Sequence, residues 1–259
     1  MRSRRTRART RPPADGSRDR RVSRDFEELD RRSTPIGEIT LRRRLEPTLQ
    51  VDVYEMKLGD EFLMTSLFTA SETALAELAL GRVDDTSIDV LVGGLGLGYT
   101  ACTALRDPRV RSVWVVEAMS EVIEWHHRHL VPLGRELTSD PRCRFVHGDF
   151  FARVVAGPEA SFGVMVPRRF HAVVVDIDHS PRHLLHASHA RLYETHGLAE
   201  VAALLHPGGV FALWSDASPD PGFVGCLRDV FESCEARVVG FPNFYTGQES
   251  TSTIYLAKC

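Results

Sequence analysis

The run Ile-Asp-Val-Leu-Val-Gly-Gly-Leu-Gly-Leu-Gly at residues 88–98 decides the fold of this chain. Its first five residues are mostly apolar, as in a short buried strand, and a helix is predicted over 99–106, directly after the last glycine. The glycines between them are Gly93, Gly94, Gly96 and Gly98. Glycine lets a ligand approach the backbone closely, and a helix N-terminus offers free N–H groups to that ligand. The run therefore predicts a ligand-binding loop between a strand and a helix.

Strands and helices alternate downstream of this loop. Short apolar runs predict six further strands, at 113–117, 143–147, 170–175, 210–214, 235–239 and 252–256. Helical patterns cover 120–130 and 190–205, and Pro207 with two following glycines ends the second of them. Such alternation is typical of a doubly wound parallel sheet. The predicted fold class is α/β and Rossmann-like, with a mostly parallel seven-stranded sheet and helices on both faces.

The N-terminal part of the chain has two different compositions. Residues 49–56 alternate polar and apolar side chains, a Gly-Asp turn follows at 59–60, and 61–65 form a second short run, which together predict a β-hairpin. Residues 1–35 are rich in Arg, Ser, Thr and Pro and predict a disordered tail. The predicted domains are this tail over 1–35, a β-hairpin subdomain over 36–68, and a Rossmann-like catalytic domain over 69–259.

Charge divides unevenly between the tail and the rest of the chain. Residues 1–24 hold ten Arg and two Asp, a net of +8, so the other 235 residues carry −11 of the total of −3. An acidic body argues against nucleic acid as the ligand of the folded part and is compatible with a cationic substrate. For the basic tail, a transit peptide or an arm for nucleic acid or a membrane surface are alternatives to a solvated segment.

The expected location follows from cysteine usage and hydropathy. No run of about 18 apolar residues is present, and the N-terminus has no apolar signal core. The five cysteines are scattered without a Cys-x-x-Cys pair, which favours free thiols in a reducing compartment. We therefore expect a cytoplasmic protein that does not enter the membrane.

Two acidic residues follow predicted strands on one side of the glycine loop. Glu117 ends the next strand, 19 residues beyond Gly98, where a carboxylate accepts hydrogen bonds from ribose hydroxyls. Asp149 follows the strand at 143–147. It is suited either to an exocyclic adenine amine, with Phe150 beside the ring, or to capping a helix.

Asp176 and Asp178 lie just beyond the strand at 170–175. Ligands of open α/β sheets bind at the carboxyl ends of strands, so this pair could accept a proton near neutral pH or bind a cationic amine. The alternative is a loop of turn-forming residues in which Asp176 caps the next element. Histidine clusters at 126–129 and 179–189 lack the cysteines or paired carboxylates of a recognised metal site, and no metal is predicted.

Five motifs occur in order along the chain. They are Val-Leu-Val-Gly-Gly-Leu-Gly-Leu-Gly at 90–98, Trp-Val-Val-Glu at 114–117, His-Gly-Asp at 147–149, Val-Val-Val-Asp at 173–176 and Leu-His-Pro-Gly-Gly-Val at 205–210. Over residues 49–257 they resemble the spermidine synthase (polyamine aminopropyltransferase) family. This resemblance implies the fold of the class I S-adenosylmethionine-dependent methyltransferase superfamily, and it implies an oligomer, either a homodimer or a tetramer.

The resemblance also implies roles for three residues. In that family the strand-end glutamate holds the ribose and the Gly-Asp aspartate holds adenine. The aspartate after the fourth strand orients and deprotonates the attacking amine. By position these roles fall on Glu117, Asp149 and Asp176.

Three positions depart from the family pattern. Gly96 stands where the family has an acid that grips the aminopropyl amine, and Leu75-Ala76 replaces a Tyr-His pair. His179 replaces the second acid of the loop, with Asp178 close by. The expected activity is aminopropyl transfer from decarboxylated S-adenosylmethionine to a small amine. A methyltransferase that uses ordinary S-adenosylmethionine and a non-catalytic nucleoside-binding homologue are the alternatives.

Overall fold

A computed structural model describes residues 26–157 and 167–259. Its helices are α1 (Ala70–Leu80), α2 (Tyr99–Arg106), α3 (Ser120–His127), α4 (Gly134–Ser139), α5 (Phe150–Ala156), α6 (Thr195–Ala203) and α7 (Pro221–Val230), with a 3-10 helix at Ala187–Tyr193. Its strands are β1 (Phe26–Thr34), β2 (Gly37–Glu46), β3 (Val51–Leu58), β4 (Glu61–Thr65), β5 (Ile88–Gly93), β6 (Val110–Glu117), β7 (Cys143–His147), β8 (Phe170–Val175), β9 (Leu205–Ser215), β10 (Ser233–Asn243) and β11 (Gln248–Lys258). None of the helices in the described ranges is long and apolar enough to cross a membrane.

The larger sheet has seven strands in the order β10-β11-β9-β8-β5-β6-β7. The five strands from β9 to β7 are parallel, while β11 runs antiparallel to both β9 and β10. Val90 and Val92 of β5 pack into the core on one face and Leu91 into the core on the other, all at 0% exposure. A strand covered on both faces reads as a continuous apolar run, which is why its sequence is so distinctive. The predicted Rossmann-like fold is confirmed.

The N-terminal sheet is larger than the sequence predicts. Strands β1 to β4 form an antiparallel meander, so the expected hairpin of β3 and β4 is present but two further strands precede it. Residues 26–34 were expected in the disordered tail, and that boundary is wrong because they form β1. The rest of the predicted tail, residues 1–25, lies outside the described residues.

Ion pairs across the strands explain why this charged segment folds. On β2, Arg42 and Arg44 each place Nε 2.8 Å from a carboxylate oxygen of Glu55 on β3. Arg43 donates to Glu27 on β1 at 2.6 Å. Glu55 is only 5% exposed, and its two arginine partners compensate the burial of its carboxylate. Pairs of opposite charge on facing strands contribute to the stability of a sheet. Such pairs do not appear in the sequence as the alternation of polar and apolar residues from which strands are predicted.

Two contacts hold the N-terminal sheet over the carboxyl edge of the larger one. The indole Nε1 of Trp125 on α3 donates to Asp30 of β1 at 2.8 Å. The sulfur of Met64 on β4 lies 2.9 Å from the backbone nitrogen of Leu97 in the glycine loop, which donates to it. The small sheet therefore covers the region to which the larger sheet directs its loops.

The predicted helix over 190–205 is two elements. The 3-10 helix ends at Tyr193, Glu194 is extended, and α6 begins at Thr195. The two pack so closely that a Cβ added at Gly197 would lie 2.1 Å from a backbone oxygen of Arg191. The apolar spacing continues through the break, so periodicity alone does not reveal it.

Candidate active site

The carboxyl ends of four parallel strands form one row. Val116 of β6, Gly93 of β5, Val175 of β8 and Leu213 of β9 are in register. The residues that follow them are Glu117, Gly94, Asp176 and Trp214. These residues line a cavity of about 340 Å³ between the row and the N-terminal sheet.

The glycine loop passes through the middle of this row. Gly94 and Gly96 line the cavity, whereas Gly93 and Gly98 support the loop from either side. Gly94 has φ +91°, and an added Cβ would lie 2.1 Å from the backbone oxygen of Asp176, so only glycine fits there. A Cβ at Gly93 would lie 2.9 Å from the ring of Phe150, so the predicted cofactor residue Phe150 packs directly under the loop.

Glu117 is held by the backbone on both carboxylate oxygens. The N–H groups of Leu95 and Met119 donate to Oε2 and Oε1 at 3.0 and 2.8 Å. The side chain is 6% exposed, and burial raises its pKa. Because each oxygen has a second lone pair, Glu117 can still accept hydrogen bonds from a diol in the cavity.

Asp149 both caps a helix and lines the cavity, so its position agrees with each of the two interpretations that the sequence left open. Its Oδ1 accepts the backbone N–H groups of Phe151 and Ala152 at 2.8 and 3.3 Å, so it is the N-cap of α5. It also lines the cavity. Both capping hydrogen bonds use Oδ1, so Oδ2 can accept a hydrogen bond from a ligand.

Asp176 shares the opposite end of the cavity with Glu72, a residue of α1 that the sequence did not single out. The hydroxyl of Thr100 donates to Oδ2 of Asp176 at 2.7 Å, and Ser71 donates to Glu72 at 2.8 Å. Burial raises the pKa of both carboxyl groups, and the charge of Asp176 raises that of Glu72 further. This pair is therefore suited to hold a proton or to bind a cation.

Asp178 is placed apart from Asp176. It is 2% exposed, and its side chain does not line the cavity. Its carboxylate accepts hydrogen bonds from the Leu185 backbone, His189 Nδ1 and the Tyr193 hydroxyl, at 2.7, 2.8 and 2.8 Å. Asp178 therefore anchors the loop that follows β8, and the sequence-based prediction that it acts catalytically gains no support from this geometry.

The predicted histidine clusters have structural partners. His126 is buried, and its Nε2 donates to the backbone oxygen of Gly96 at 2.9 Å; burial lowers its pKa to about 4, so it supports the loop as a neutral ring. His179 Nε2 lies 3.0 Å from Glu61 of β4, and His189 stacks on Phe151 at 3.7 Å. Within residues 26–157 and 167–259, no three His, Cys, Asp or Glu side chains are grouped to hold a metal ion.

Comparison with known proteins gives a consistent result. No family model matches the sequence. Polyamine aminopropyltransferase 2 of Pseudomonas aeruginosa is 28% identical over 166 residues, which are 62% of this chain and 44% of that protein, less than half of its length. A spermidine synthase crystallised with the transition-state analogue AdoDATO has a TM-score of 0.67 at 16% identity, covering 89% of this chain and 73% of that one. The Thermotoga maritima spermidine synthase has a TM-score of 0.64 at 17% identity, covering 89% and 72%.

This chain is similar to spermidine synthases in fold. The two solved structures establish the fold, and the Pseudomonas sequence supports the resemblance from an independent direction. The chain nevertheless differs from the family pattern at its glycine loop, where Gly96 stands in place of an acid and lies against Met64. An added Cβ at Gly96 would be 2.6 Å from the Met64 sulfur, so the thioether fills the space next to this position.

Residues missed by the sequence analysis come from segments far apart in the chain. Glu72 and Trp214 both line the cavity, as does Tyr99 at the start of α2. Glu72 shares its helix with buried apolar residues, so an acid on the buried face of α1 was the available signal. No local pattern marks Trp214, because it reads as part of the apolar strand β9.

Proposed function

We propose that this chain transfers an aminopropyl group from decarboxylated S-adenosylmethionine to an amine acceptor. The observation that carries the proposal is the charge of the cavity. Its lining contains four carboxylates and, within the described part of the chain, no Lys or Arg. The four are Glu72, Glu117, Asp149 and Asp176. Such a lining selects cations.

The donor fits this lining better without its carboxylate. Glu117 and Asp149 would accept hydrogen bonds from the ribose and the adenine amine, as the family resemblance implies. The decarboxylated donor adds a sulfonium and an ammonium, both positive. Ordinary S-adenosylmethionine also brings a negative carboxylate, which Glu72 and Asp176 would repel at close range. The charge balance therefore favours the decarboxylated donor.

The reaction would be a direct displacement. The lone pair of the acceptor amine attacks the aminopropyl carbon bonded to sulfur, forming a C–N bond while the C–S bond breaks. The bonding electrons go to sulfur, and methylthioadenosine leaves as a neutral thioether. Asp176 takes the proton that the amine loses. The chain contributes positioning, a proton acceptor and shielding from water.

The proposal is tested by two measurements on the full chain. Calorimetry compares binding of the decarboxylated and ordinary cofactors, and chromatography follows methylthioadenosine release in the presence of mono-, di- and triamines. We expect tighter binding of the decarboxylated form and amine-dependent release. Absence of release with every amine would overturn aminopropyl transfer.

One observation favours a second candidate, a methyltransferase that uses ordinary S-adenosylmethionine. Gly96 lacks the acid that the family uses for the aminopropyl amine, and Met64 lies beside it. Tighter binding of ordinary S-adenosylmethionine, with S-adenosylhomocysteine as the released product, would support this candidate instead.

A further inference from the structure

We infer that the acceptor is a monoamine with an apolar alkyl or arylalkyl body, rather than an α,ω-diamine. The inference rests on the proposed aminopropyl transfer and concerns the same cavity. It is drawn from how many carboxylates the cavity offers, where they lie, and what surrounds them.

The carboxylates divide into two pairs by their position on the sheet. Glu117 and Asp149 follow β6 and β7, the strands on one side of the glycine loop. Asp176 follows β8 on the other side, and Glu72 of α1 lines the same cavity. The first pair serves the nucleoside in the proposed function, so two carboxylates remain for ammonium groups.

Two ammonium groups already require these two carboxylates. One belongs to the aminopropyl chain of the donor, and the other is the reacting amine of the acceptor before it loses its proton. A diamine would bring a third positive charge. The lining of the cavity contains no further Asp or Glu within the described ranges, so that charge would have no carboxylate partner in the lining.

Large apolar side chains lie around Asp176, in addition to the Thr100 hydroxyl and Glu72. Ile177 follows it in the chain, and Trp214 lies beside it at the end of the neighbouring strand. Leu63 and Met64 of β4 line the same cavity from the N-terminal sheet. An alkyl or aryl group gains free energy when such side chains remove it from water, whereas an unpaired ammonium loses its hydration there.

Glu61 is an acid close to this cavity, but it is already engaged. Its Oε1 lies 3.0 Å from Nε2 of His179 and 3.5 Å from Nε2 of His183. Its side chain does not itself line the cavity. It therefore holds the loop after β8 against β4 and does not provide the missing carboxylate.

The test compares amines matched in carbon number. We would measure methylthioadenosine release from decarboxylated S-adenosylmethionine with butylamine against 1,4-diaminobutane, pentylamine against 1,5-diaminopentane, and 2-phenylethylamine. We expect kcat/KM to be at least about tenfold higher for each monoamine than for its matched diamine, because the distal charge is unpaired. Equal or higher kcat/KM for the diamines would overturn the inference.

A binding measurement separates failure of the inference from failure of the proposed function. Calorimetry with the same amines reports acceptor preference without turnover when the donor is replaced by its thioether analogue without the S-methyl group, which keeps the aminopropyl ammonium but has no sulfonium to react. Tighter binding of monoamines supports the inference even if no amine reacts, an outcome that overturns aminopropyl transfer alone. Tighter binding of diamines, or no binding of any amine, overturns the inference.

A charge-addition variant provides the matched control. Leu63→Glu adds a carboxylate to the lining, and Phe62→Glu adds the same charge at the neighbouring position, which is exposed and outside the lining. We expect Leu63→Glu to shift the diamine-to-monoamine ratio of kcat/KM about tenfold toward the diamine, because the new carboxylate pairs with the distal ammonium. Phe62→Glu should leave this ratio unchanged. An unchanged ratio in a folded Leu63→Glu protein contradicts the inference. If that variant does not fold, the comparison of matched amines on the wild-type protein is the deciding test.

Discussion

The two ends of the cavity are built differently. At the end proposed for the nucleoside, backbone N–H groups fix Glu117 and Asp149. Those on Glu117 come from the glycine loop and the turn after β6, and those on Asp149 come from the first turn of α5. At the end proposed for the amine, Asp176 and Glu72 accept hydrogen bonds from the hydroxyls of Thr100 and Ser71 and line the same cavity. At the first end, backbone donors of the chain itself bind the carboxylates, whereas the second end concentrates negative charge.

This difference indicates which end carries the chemistry. A carboxylate bound by backbone donors is rigid and recognises a fixed pattern of hydroxyl or amine groups. Two buried carboxyl groups with raised pKa values destabilise the protein when both are charged, and a proton or a cation relieves that destabilisation. We therefore propose recognition as the role of Glu117 and Asp149, and proton transfer as the role of Asp176.

Replacing Asp176 tests the chemical end and has the largest expected effect. Asp176→Asn should reduce the kcat of methylthioadenosine release on the order of 10²–10⁴-fold, because the proton acceptor is lost, with donor affinity little changed. Steady-state kinetics and donor calorimetry measure the two effects.

Asp178→Asn is the contrast: it should lower the free energy of unfolding by about 1–3 kcal/mol while kcat per folded molecule is retained. The reverse pattern would return the catalytic role to Asp178.

Replacing Glu117 tests the recognition end. In Glu117→Gln an NH₂ group, which only donates hydrogen bonds, replaces one carboxylate oxygen. That NH₂ group then faces a backbone N–H group or a ribose hydroxyl that had donated to the oxygen. We expect the Kd of the donor and of methylthioadenosine to rise by about 10- to 100-fold, as for loss of a charge-assisted hydrogen bond. Calorimetry measures it, with Glu121→Gln on α3 as the control. Unchanged affinity in Glu117→Gln would place the nucleoside elsewhere.

The smallest expected effect concerns stability and pH. Burial raises the folded-state pKa of Glu72, so its contribution to stability is present at low pH and lost as the pH rises through that pKa. Glu72→Gln should therefore raise the Tm of the unliganded protein by about 2–4 °C at pH 8, on the order of 1 kcal/mol, and the gain should vanish toward pH 4.5.

The control for this stability measurement lies on the same helix. Glu77 of α1 is exposed, and Glu77→Gln should leave Tm unchanged across the range. The same raised pKa values predict that kcat/KM falls as the pH drops, because protonated Glu72 and Asp176 neither bind cations nor accept protons. A Tm gain for Glu72→Gln that is independent of pH would argue against a charge effect.

The N-terminal sheet shows where prediction from sequence is limited. β1 and β2 are stabilised by pairs such as Arg42 with Glu55, which lie 13 positions apart and meet only when the strands pair. A charge-rich segment that folds in this way cannot be told from a solvated one by composition. The break before α6 was missed for a similar reason, since the packing of Gly197 against Arg191 is not encoded in apolar spacing.

The sequence by itself determined the parallel sheet and the residues at its strand ends. In such a sheet, strand, loop and ligand-facing residue follow one another within a few positions, so Gly94, Glu117, Asp149 and Asp176 could all be predicted. Tertiary structure alone decided that Asp178 turns away from the cavity and that Glu72 and Trp214 enter it. The reason is physical: which side of a loop or helix faces the cavity depends on the surfaces packed against it, and those surfaces come from distant parts of the chain.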